Sequence, residues 1–240
     1  MNSHIECEKC VLTSKDDPEI QFNIDGICNH CVGYENQIKS FPSNQRDRER
    51  ILHDQIEKIK RAGHKKKYDC IMGISGGVDS SYLSIILKEF NLRPLLIHFD
   101  NGWNSELAVN NIDRIISQLK FPLYTYVVNW NEFKDLQLSY IRSGVLDWEI
   151  PTDHGFYALL HNQAYKRKIN YVISGHNIVT EAILPKCMRW SKLDVANIND
   201  IHSKFGTLKN LKTFPTMPFY KSFYYKQFAN LNFLSPLNYL

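Results

Sequence analysis

The alternation of short apolar runs with helical patterns between residues 68 and 190 constrains the fold of this chain most strongly. Four apolar runs of strand length occur there, at residues 70–74, 95–99, 123–128 and 171–174. Helical patterns lie between them, at residues 79–90, 103–120, 132–142 and 156–168. Because the runs are continuously apolar, they are typical of strands that are covered on both faces. We therefore predict an α/β fold, a doubly wound parallel sheet with helices on both of its faces.

Three further regions adjoin this predicted sheet domain of residues 68–190. Residues 1–34 carry four of the six cysteines and few apolar runs. Residues 35–67 are predicted to be a linker with an amphipathic helix, because Ile and Leu recur there at helical spacing among charged residues. Residues 191–240 form an aromatic-rich C-terminal region. We expect this aromatic region to be a surface that further chain or a partner covers.

Composition and charge exclude several classes of protein. The net charge of +4 is mildly basic and does not by itself point to nucleic acid. The first ten residues have no apolar core of signal-peptide length, and no run of about 18 apolar residues occurs, so we expect a cytoplasmic protein without a membrane partner. In that compartment cysteines are more often metal ligands or free thiols than disulfides.

Four cysteines near the N-terminus have the spacing of a metal site. Cys7 and Cys10 form one C-x2-C pair, Cys28 and Cys31 form a second, and 17 residues separate the pairs. This spacing predicts a tetrahedral Zn²⁺ site in a small ribbon-like module, with an iron–sulfur cluster or a redox pair of dithiols as the alternatives. Four thiolates leave no open position for a substrate, so the role is expected to be structural, and so small a module would need the metal to fold.

A glycine loop follows the first predicted strand and precedes a helix. It reads Ser75-Gly76-Gly77-Val78-Asp79-Ser80-Ser81. Two glycines allow successive N–H groups to converge on an anion, and the helix start adds its dipole. The loop has no lysine, so it is not a Walker loop, and it suits the pyrophosphate that leaves when ATP gives up AMP. Asp79 is interpreted as a Mg²⁺ ligand or a clamp on the loop, and the alternative for the whole segment is a plain turn with Asp79 as helix cap.

Gly73–Ser81 resembles the SGGxDS loop of the PP-loop ATP pyrophosphatases, the adenine nucleotide alpha-hydrolase-like superfamily, whose sheet is Rossmann-like. Within that superfamily the chain most resembles the N-acetyl sugar amidotransferases of bacterial surface-polysaccharide (lipopolysaccharide, O-antigen) biosynthesis. The stretches that carry the resemblance are Cys7–Cys31, Tyr68–Ser81 and Ser174–Asn177. The resemblance covers essentially the whole chain. Because Asn232–Tyr239 looks like an internal segment of that family, we expect a C-terminally truncated chain.

The resemblance implies roles for residues after the predicted strands, where parallel sheets bind ligands. It implies ATP and Mg²⁺ as ligands and a site whose reacting groups are Ser75, Asp79, His176 and Glu181. The residues expected to hold the nucleotide are Ser75, Gly76, Gly77, Val78, Asp79, Ser80, Ser81, Asp100, Asn101, Gly175 and Asn177. Residues suggested for the acceptor substrate are Asp153, His154, Lys186 and Arg189. For the residues outside the loop, helix-capping turns and solvated surface positions are the alternatives.

The motifs and the resemblance leave three candidate functions. The first is an ATP-dependent amidotransferase that adenylates the N-acetyl group of a nucleotide-activated sugar and lets ammonia displace AMP, giving an acetamidino sugar. No N-terminal glutaminase-type cysteine is present, because Cys7 belongs to the metal pattern, so the resemblance implies a separate glutaminase partner. The second is a tRNA-thiolating enzyme of the same superfamily, although only Cys70 and Cys187 remain in the sheet domain and nucleic acid is not expected as a partner. The third is an inactive, truncated ATP-binding fragment.

Overall fold

A computed structural model of the chain describes residues 4–181, 183–188 and 190–240. Five parallel strands form one sheet in the order β3-β2-β1-β4-β5. They are β1 (Cys70–Gly73), β2 (Pro94–Asp100), β3 (Leu123–Val127), β4 (Tyr171–Ile173) and β5 (Asn232–Leu234). The predicted doubly wound parallel sheet is confirmed, and all four expected strands form.

The central strand β1 shows why the apolar runs are continuous. Its Ile71 pairs with Leu95 of β2 on one side and with Val172 of β4 on the other. The side chain of Ile71 packs into the core on one face of the sheet, while Cys70 and Met72 pack into the core on the opposite face. Each face is therefore buried, and a strand with a polar face would leave unpaired groups inside the protein.

Nine α-helices occur in the described residues, and they are divided between the two faces. They are α1 (Asn29–Lys39), α2 (Gln45–Gly63), α3 (Val78–Glu89), α4 (Glu106–Leu119), α5 (Trp130–Ser143), α6 (Ile150–Lys166), α7 (Ile178–Glu181), α8 (Val195–Phe205) and α9 (Phe219–Gln227). Helices α2, α3 and α4 pack on one face, and α5, α6 and α8 pack on the other. The winding reverses between β1 and β4, so the cleft for a ligand lies at the carboxyl ends of these two strands.

Several elements differ from the sequence predictions. The region 191–240 supplies α8, α9 and the edge strand β5, so the sheet has five strands instead of four. Helix α6 begins at Ile150, which places the segment 148–155 at the helix start instead of before it. Pro151 in the first turn is the sequence signal for this earlier start. In the part of the chain that the structure describes, no helix is both long and apolar enough to cross a lipid bilayer.

Two buried carboxylates of α5 hold the chain that returns from α8. Asp135 accepts hydrogen bonds from the N–H groups of Thr207 and Leu208 at 2.9 Å each and from the His202 ring at 2.9 Å. Glu132 accepts from the N–H groups of Thr213 and Phe214 in the same way. These contacts attach residues 206–214 to the face of the sheet that α5 and α6 cover, beside the cleft.

Asp135→Asn is expected to lower the free energy of unfolding by about 3 kcal/mol at neutral pH, because an amide would point a donor at other donors. Burial raises the pKa of Asp135, but the hydrogen bonds from Thr207 and Leu208 outweigh it and hold the pKa well below its usual value. A lowered folded-state pKa stabilises the protein above about pH 4, and this stabilisation is lost as the pH falls further. Urea unfolding at a series of pH values should show the difference between the two proteins shrinking in acid. A pH-independent difference would contradict this role.

Candidate active site

The glycine loop has a backbone conformation that only glycine accommodates at position 76. Gly76 has a φ of +76°, in the left-handed region. A Cβ at this position would lie 2.2 Å from the carbonyl oxygen of Ala108 in α4. Gly77 follows as the N-cap of α3. The loop can therefore press against α4 only without a side chain at position 76.

The loop has several backbone N–H groups without an acceptor. Among the described residues, no acceptor bonds the N–H groups of Gly76, Val78, Asp79 or Ser80. They lie at the start of α3, where the helix dipole adds a partial positive charge. Such a set of free donors stabilises a phosphate or pyrophosphate group without any cationic side chain.

The loop is fixed by hydroxyls and by one residue that the sequence analysis did not identify. The hydroxyls of Ser80 and Ser81 donate to the carbonyl of Gly77 at 3.1 Å and 2.7 Å. Asn111 of α4 donates to the carbonyl of Gly76 at 3.0 Å. Asn111 lies 35 residues from its partner on an unremarkable helix, so no local pattern could have indicated it. Asp79 is not the N-cap of α3, because the N-cap is Gly77 and no side chain caps it.

Asp79 lies in the first turn of α3, directly after the loop, and its carboxylate is free. It is exposed, and it makes no hydrogen bond or ion pair with any described residue. Gly175, after β4, comes so close that a Cβ there would lie 3.4 Å from the Cβ of Asp79. The loops after β1 and β4 therefore meet at the cleft, and the carboxylate of Asp79 is available to a cation there.

The segment after β4 places a histidine and a glutamate together. His176 Nδ1 bonds the carboxylate of Glu181, and both side chains are exposed at the cleft. The N–H of His176 donates to the hydroxyl of Ser174 at 3.1 Å, which fixes the turn. Asn177 instead caps α7, because its side-chain oxygen accepts from the N–H of Thr180 at 3.1 Å. His176 and Glu181, which the sequence analysis named separately, are thus in contact, whereas Asn177 caps a helix.

At the end of β2, the residues predicted to contact the nucleotide make most of their hydrogen bonds within the protein. Asp100 accepts from the N–H of Gly102 at 3.1 Å and from the side chain of Asn104 at 3.0 Å. Asn101 is buried and donates to the hydroxyl of Thr152 at 3.2 Å. A cavity of about 230 Å³ lies between this turn, the glycine loop and α6. His98 also lines it and was not identified from the sequence, because a histidine inside an apolar strand resembles a core residue.

The residues suggested for the acceptor substrate do not form one site in the structure, because some are exposed and one is buried. Asp153 pairs with Lys192 at the rim of a second cavity. His154 is completely buried: its Nδ1 donates to the carbonyl of Lys192 at 2.8 Å, and its Nε2 accepts from the N–H of Met217 at 3.0 Å. Burial lowers the pKa of His154, so the ring is neutral and structural and does not face a substrate. Lys186 is exposed in a 3-10 turn, and Arg189 lies outside the described residues.

The four N-terminal cysteines come together as the sequence predicts. Their sulfur atoms all lie within 4.8 Å of one another. The Cys7 and Cys31 sulfurs are 3.9 Å apart, and those of Cys10 and Cys28 are 3.7 Å apart. A single ion with four thiolates at about 2.3 Å holds its sulfurs about 3.8 Å apart in tetrahedral geometry. The cluster therefore fits one metal ion, whereas an iron–sulfur cluster, with several irons, spreads its thiolates wider.

The electrostatic surroundings of the thiols also favour a thiolate site. Burial alone would raise the pKa of Cys7, but N–H donors from Cys28 and Lys9 lower it to about 6. Burial raises the pKa of Cys31, as it does for Cys10. The Cys7 sulfur is thus prepared as an anion, while Cys10 and Cys31 would lose their protons to a metal, so metal binding releases protons.

Comparison with known proteins gives partial matches. No model of a known protein family matches the chain. An uncharacterized protein of Methanocaldococcus jannaschii is 28% identical over 178 residues, which cover 72% of this chain and 60% of that relative. The tRNA(Ile)-lysidine synthase of Chlamydia pneumoniae is 32% identical over 77 residues, covering 30% of this chain and 24% of the synthase. The chain thus spans less than two thirds of the length of the relatives it matches.

Similar solved structures are distant. NMN synthetase from Francisella tularensis superimposes with a TM-score of 0.43 at 15% identity, covering 57% of this chain and 56% of that one. The U34-tRNA thiolase of Methanococcus maripaludis, with its [4Fe-4S] cluster, gives a TM-score of 0.39 at 15% identity, covering 99% and 68%. The fold assignment therefore depends on the strand order and pairing described above.

Proposed function

We propose that this chain is an ATP pyrophosphatase-type enzyme of the PP-loop superfamily, and that it forms AMP and pyrophosphate while it activates an oxygen of its substrate. The observation that carries this proposal is the set of free N–H groups of Gly76, Val78, Asp79 and Ser80, with the exposed carboxylate of Asp79 beside them. The free donors suit the two phosphates that leave together. Because the loop has no lysine, the charge must be balanced by the helix start and by a cation.

The acceptor in this proposal is the N-acetyl group of a nucleotide-activated sugar, as the family resemblance suggests. The acetamido oxygen attacks the α-phosphorus of ATP, a P–O bond forms, and the bond from this phosphorus to the pyrophosphate oxygen breaks. Ammonia then attacks the acetamido carbon, the C–O bond breaks, and AMP departs with the former acetamido oxygen. The attacking nitrogen loses one proton, and an acetamidino group remains. A separate glutaminase would supply the ammonia.

The side chains of the cleft take positioning and proton-transfer roles in this scheme. The hydroxyl of Ser75, which lies 3.3 Å from that of Ser80, is beside the free N–H groups and adds a donor to the leaving pyrophosphate. His176 is held by Glu181, so its imidazole is oriented to accept the proton that the nitrogen loses. Most of the rate enhancement would come from holding the two substrates together and from balancing charge.

Two metal ions complete the proposal. Mg²⁺ would be held by Asp79 together with the phosphates of ATP, since one or two carboxylates and substrate phosphates are its usual ligands, and it would neutralise phosphate charge. Zn²⁺ would be held by Cys7, Cys10, Cys28 and Cys31, whose sulfur spacing fits a tetrahedral ion. The zinc would be structural, because four thiolates complete its coordination.

A tRNA substrate is the second candidate, and the similarity to tRNA(Ile)-lysidine synthase favours it. Sulfur transfer to tRNA would need a thiol at the cleft. In the described residues Cys70 is fully buried inside β1, and Cys187 bonds the carbonyl of Asp16 in the N-terminal module. Pyrophosphate release that depends on tRNA instead of on an N-acetyl sugar nucleotide would favour this candidate.

Pyrophosphate release tests the proposed function. With ATP, Mg²⁺, ammonia and a panel of nucleotide-linked N-acetyl sugars, at least one sugar should stimulate release. Ser75→Ala and Asp79→Asn should each lower the rate, by about 100-fold for Asp79→Asn, because a cation ligand is lost beside the leaving group. Asp54→Asn, on the exposed surface of α2, is the matched control and should behave like the parent. If no sugar stimulates release and the loop variants match the parent, the proposal is wrong.

A further inference from the structure

A second cavity, of about 370 Å³, opens beside the glycine loop between α6, β4 and β5. Gly73, at the end of β1, and Gly175 and His176, after β4, belong to its wall. It therefore shares a border with the cleft in which the loops after β1 and β4 meet. A group bound here lies within reach of both His176 and the phosphate loop.

The interior of this cavity is mostly apolar and aromatic. Phe156 and Tyr157 of α6 and Phe233 of β5 contribute rings to its lining. Phe233 is 48% exposed, so part of its ring faces the open space, although the ring also stacks on His161 with the centroids 6.1 Å apart. Flat aromatic surfaces of this kind gain free energy by covering the apolar face of a ring-shaped ligand.

Besides Ser174 and His176, the polar lining of the cavity contains a charged pair, Asp153 and Lys192. Asp147 also lies 3.8 Å from the Lys192 ammonium. Burial lowers the pKa of Lys192, but its hydrogen bond to Asp153 and the nearby carboxylates of Asp147 and Glu149 raise it. Three carboxylates around one ammonium leave the local charge negative, which disfavours a phosphate or carboxylate of a ligand. Hydroxyl groups suit this pair, because a carboxylate accepts their hydrogen bonds and an ammonium donates to their oxygens.

We infer that this cavity binds the sugar ring of the acceptor, with Asp153 and Lys192 on its hydroxyls and Phe233 and Tyr157 against its apolar face. The inference rests on the proposed function. The acetamido group is attached to the sugar ring and must reach the phosphate loop, so the ring belongs in the cavity that borders the loop. The diphosphate and the base of the nucleotide sugar then lie outside the Asp153–Lys192 pair.

Saturation-transfer NMR with UDP-N-acetylglucosamine, UDP-N-acetylgalactosamine and UDP-N-acetylmannosamine as probes tests the inference without requiring turnover. For at least one probe, the sugar-ring and acetyl protons should receive more saturation from the protein than the uracil protons. Stronger saturation of uracil would overturn the inference and assign the cavity to the base. Absence of saturation for all three probes would also overturn it.

Two cavity variants should reduce the saturation of the sugar protons at least about tenfold, Lys192→Met by removing a donor and Phe233→Ala by removing the stacking ring. Lys204→Met, at an exposed ion pair of α8, and Phe223→Ala, at a similarly exposed aromatic of α9, are the matched controls and should leave the sugar signals unchanged. Equal effects in variants and controls would contradict the inference.

ATP binding measured by calorimetry on the same proteins separates the two proposals. The cavity variants should bind ATP like the parent, whereas Asp79→Asn should weaken ATP–Mg²⁺ binding. A parent protein that binds ATP but none of the three sugars would overturn the cavity assignment while ATP use stands. A parent that binds no ATP would overturn the proposed function itself.

Discussion

Gly76→Ala is expected to lower ATP-dependent pyrophosphate release by at least about 100-fold, because the N–H donors of the loop would no longer converge on the leaving group. The Cβ of alanine would lie 2.2 Å from the carbonyl oxygen of Ala108, a backbone atom of α4 that cannot rotate away. The φ of +76° adds a backbone penalty of about 1 kcal/mol. The loop must therefore shift, and Asn111 would lose its hydrogen bond to the carbonyl of residue 76.

Gly144→Ala is the control that separates backbone strain from the clash. Gly144 has a similar φ of +72° at the end of α5, but a Cβ there would meet no atom within 4 Å. This variant should lose about 1 kcal/mol in urea unfolding and keep its pyrophosphate release. The result that contradicts the role of the loop is a folded Gly76→Ala protein with the activity and ATP affinity of the parent.

Cys28→Ser is expected to abolish metal binding and to unfold the N-terminal module. Cys28 is fully buried at the centre of a small cluster that contains little apolar surface besides the cysteines themselves. Structural zinc contributes about 10–16 kcal/mol to domains of this kind, far more than so small a core. Metal analysis should show one Zn²⁺ per parent chain and none in the variant, and limited proteolysis should cleave the variant within residues 4–34.

Cys187→Ser is the matched control for the metal module. Cys187 is exposed and lies outside the four-sulfur cluster, although it touches the carbonyl of Asp16. Its loss should leave zinc content and protease resistance unchanged. If the parent protein contains iron and inorganic sulfide, the site holds an iron–sulfur cluster instead of zinc. If the Cys28→Ser protein lacks metal and still resists proteolysis, the metal does not have a structural role.

The sequence predicts the parts of the fold that depend on local pattern. The central strands β1 and β2 form where continuous apolar runs stand, because burial on both faces disfavours polar side chains there. The C-x2-C spacing is also a local pattern, because each turn directs both of its thiols to one point. The helix α6 begins earlier than expected, although Pro151 signals its start.

The remaining features depend on contacts between distant parts of the chain. Strand β5 is only three residues long, and it is a strand because its backbone pairs with β4. Asn111 acquires its role only when α4 packs against the loop, and Lys192 acquires its role only when its turn meets Asp153. His154 is the converse case. A polar residue near a helix start suggests a ligand contact, but in the structure both nitrogens of its buried ring bond backbone groups.

The origin of the oxygen in AMP tests the proposed chemistry most directly. With an acceptor that carries ¹⁸O in its N-acetyl group, attack of this oxygen on the α-phosphorus predicts AMP labelled with one ¹⁸O, unlabelled pyrophosphate and an acetamidino product in equal amounts. Mass spectrometry of the nucleotides measures the label. Formation of ADP and phosphate, or of AMP whose new oxygen comes from water while the acetyl group keeps its ¹⁸O, would contradict adenylation of the acetamido oxygen.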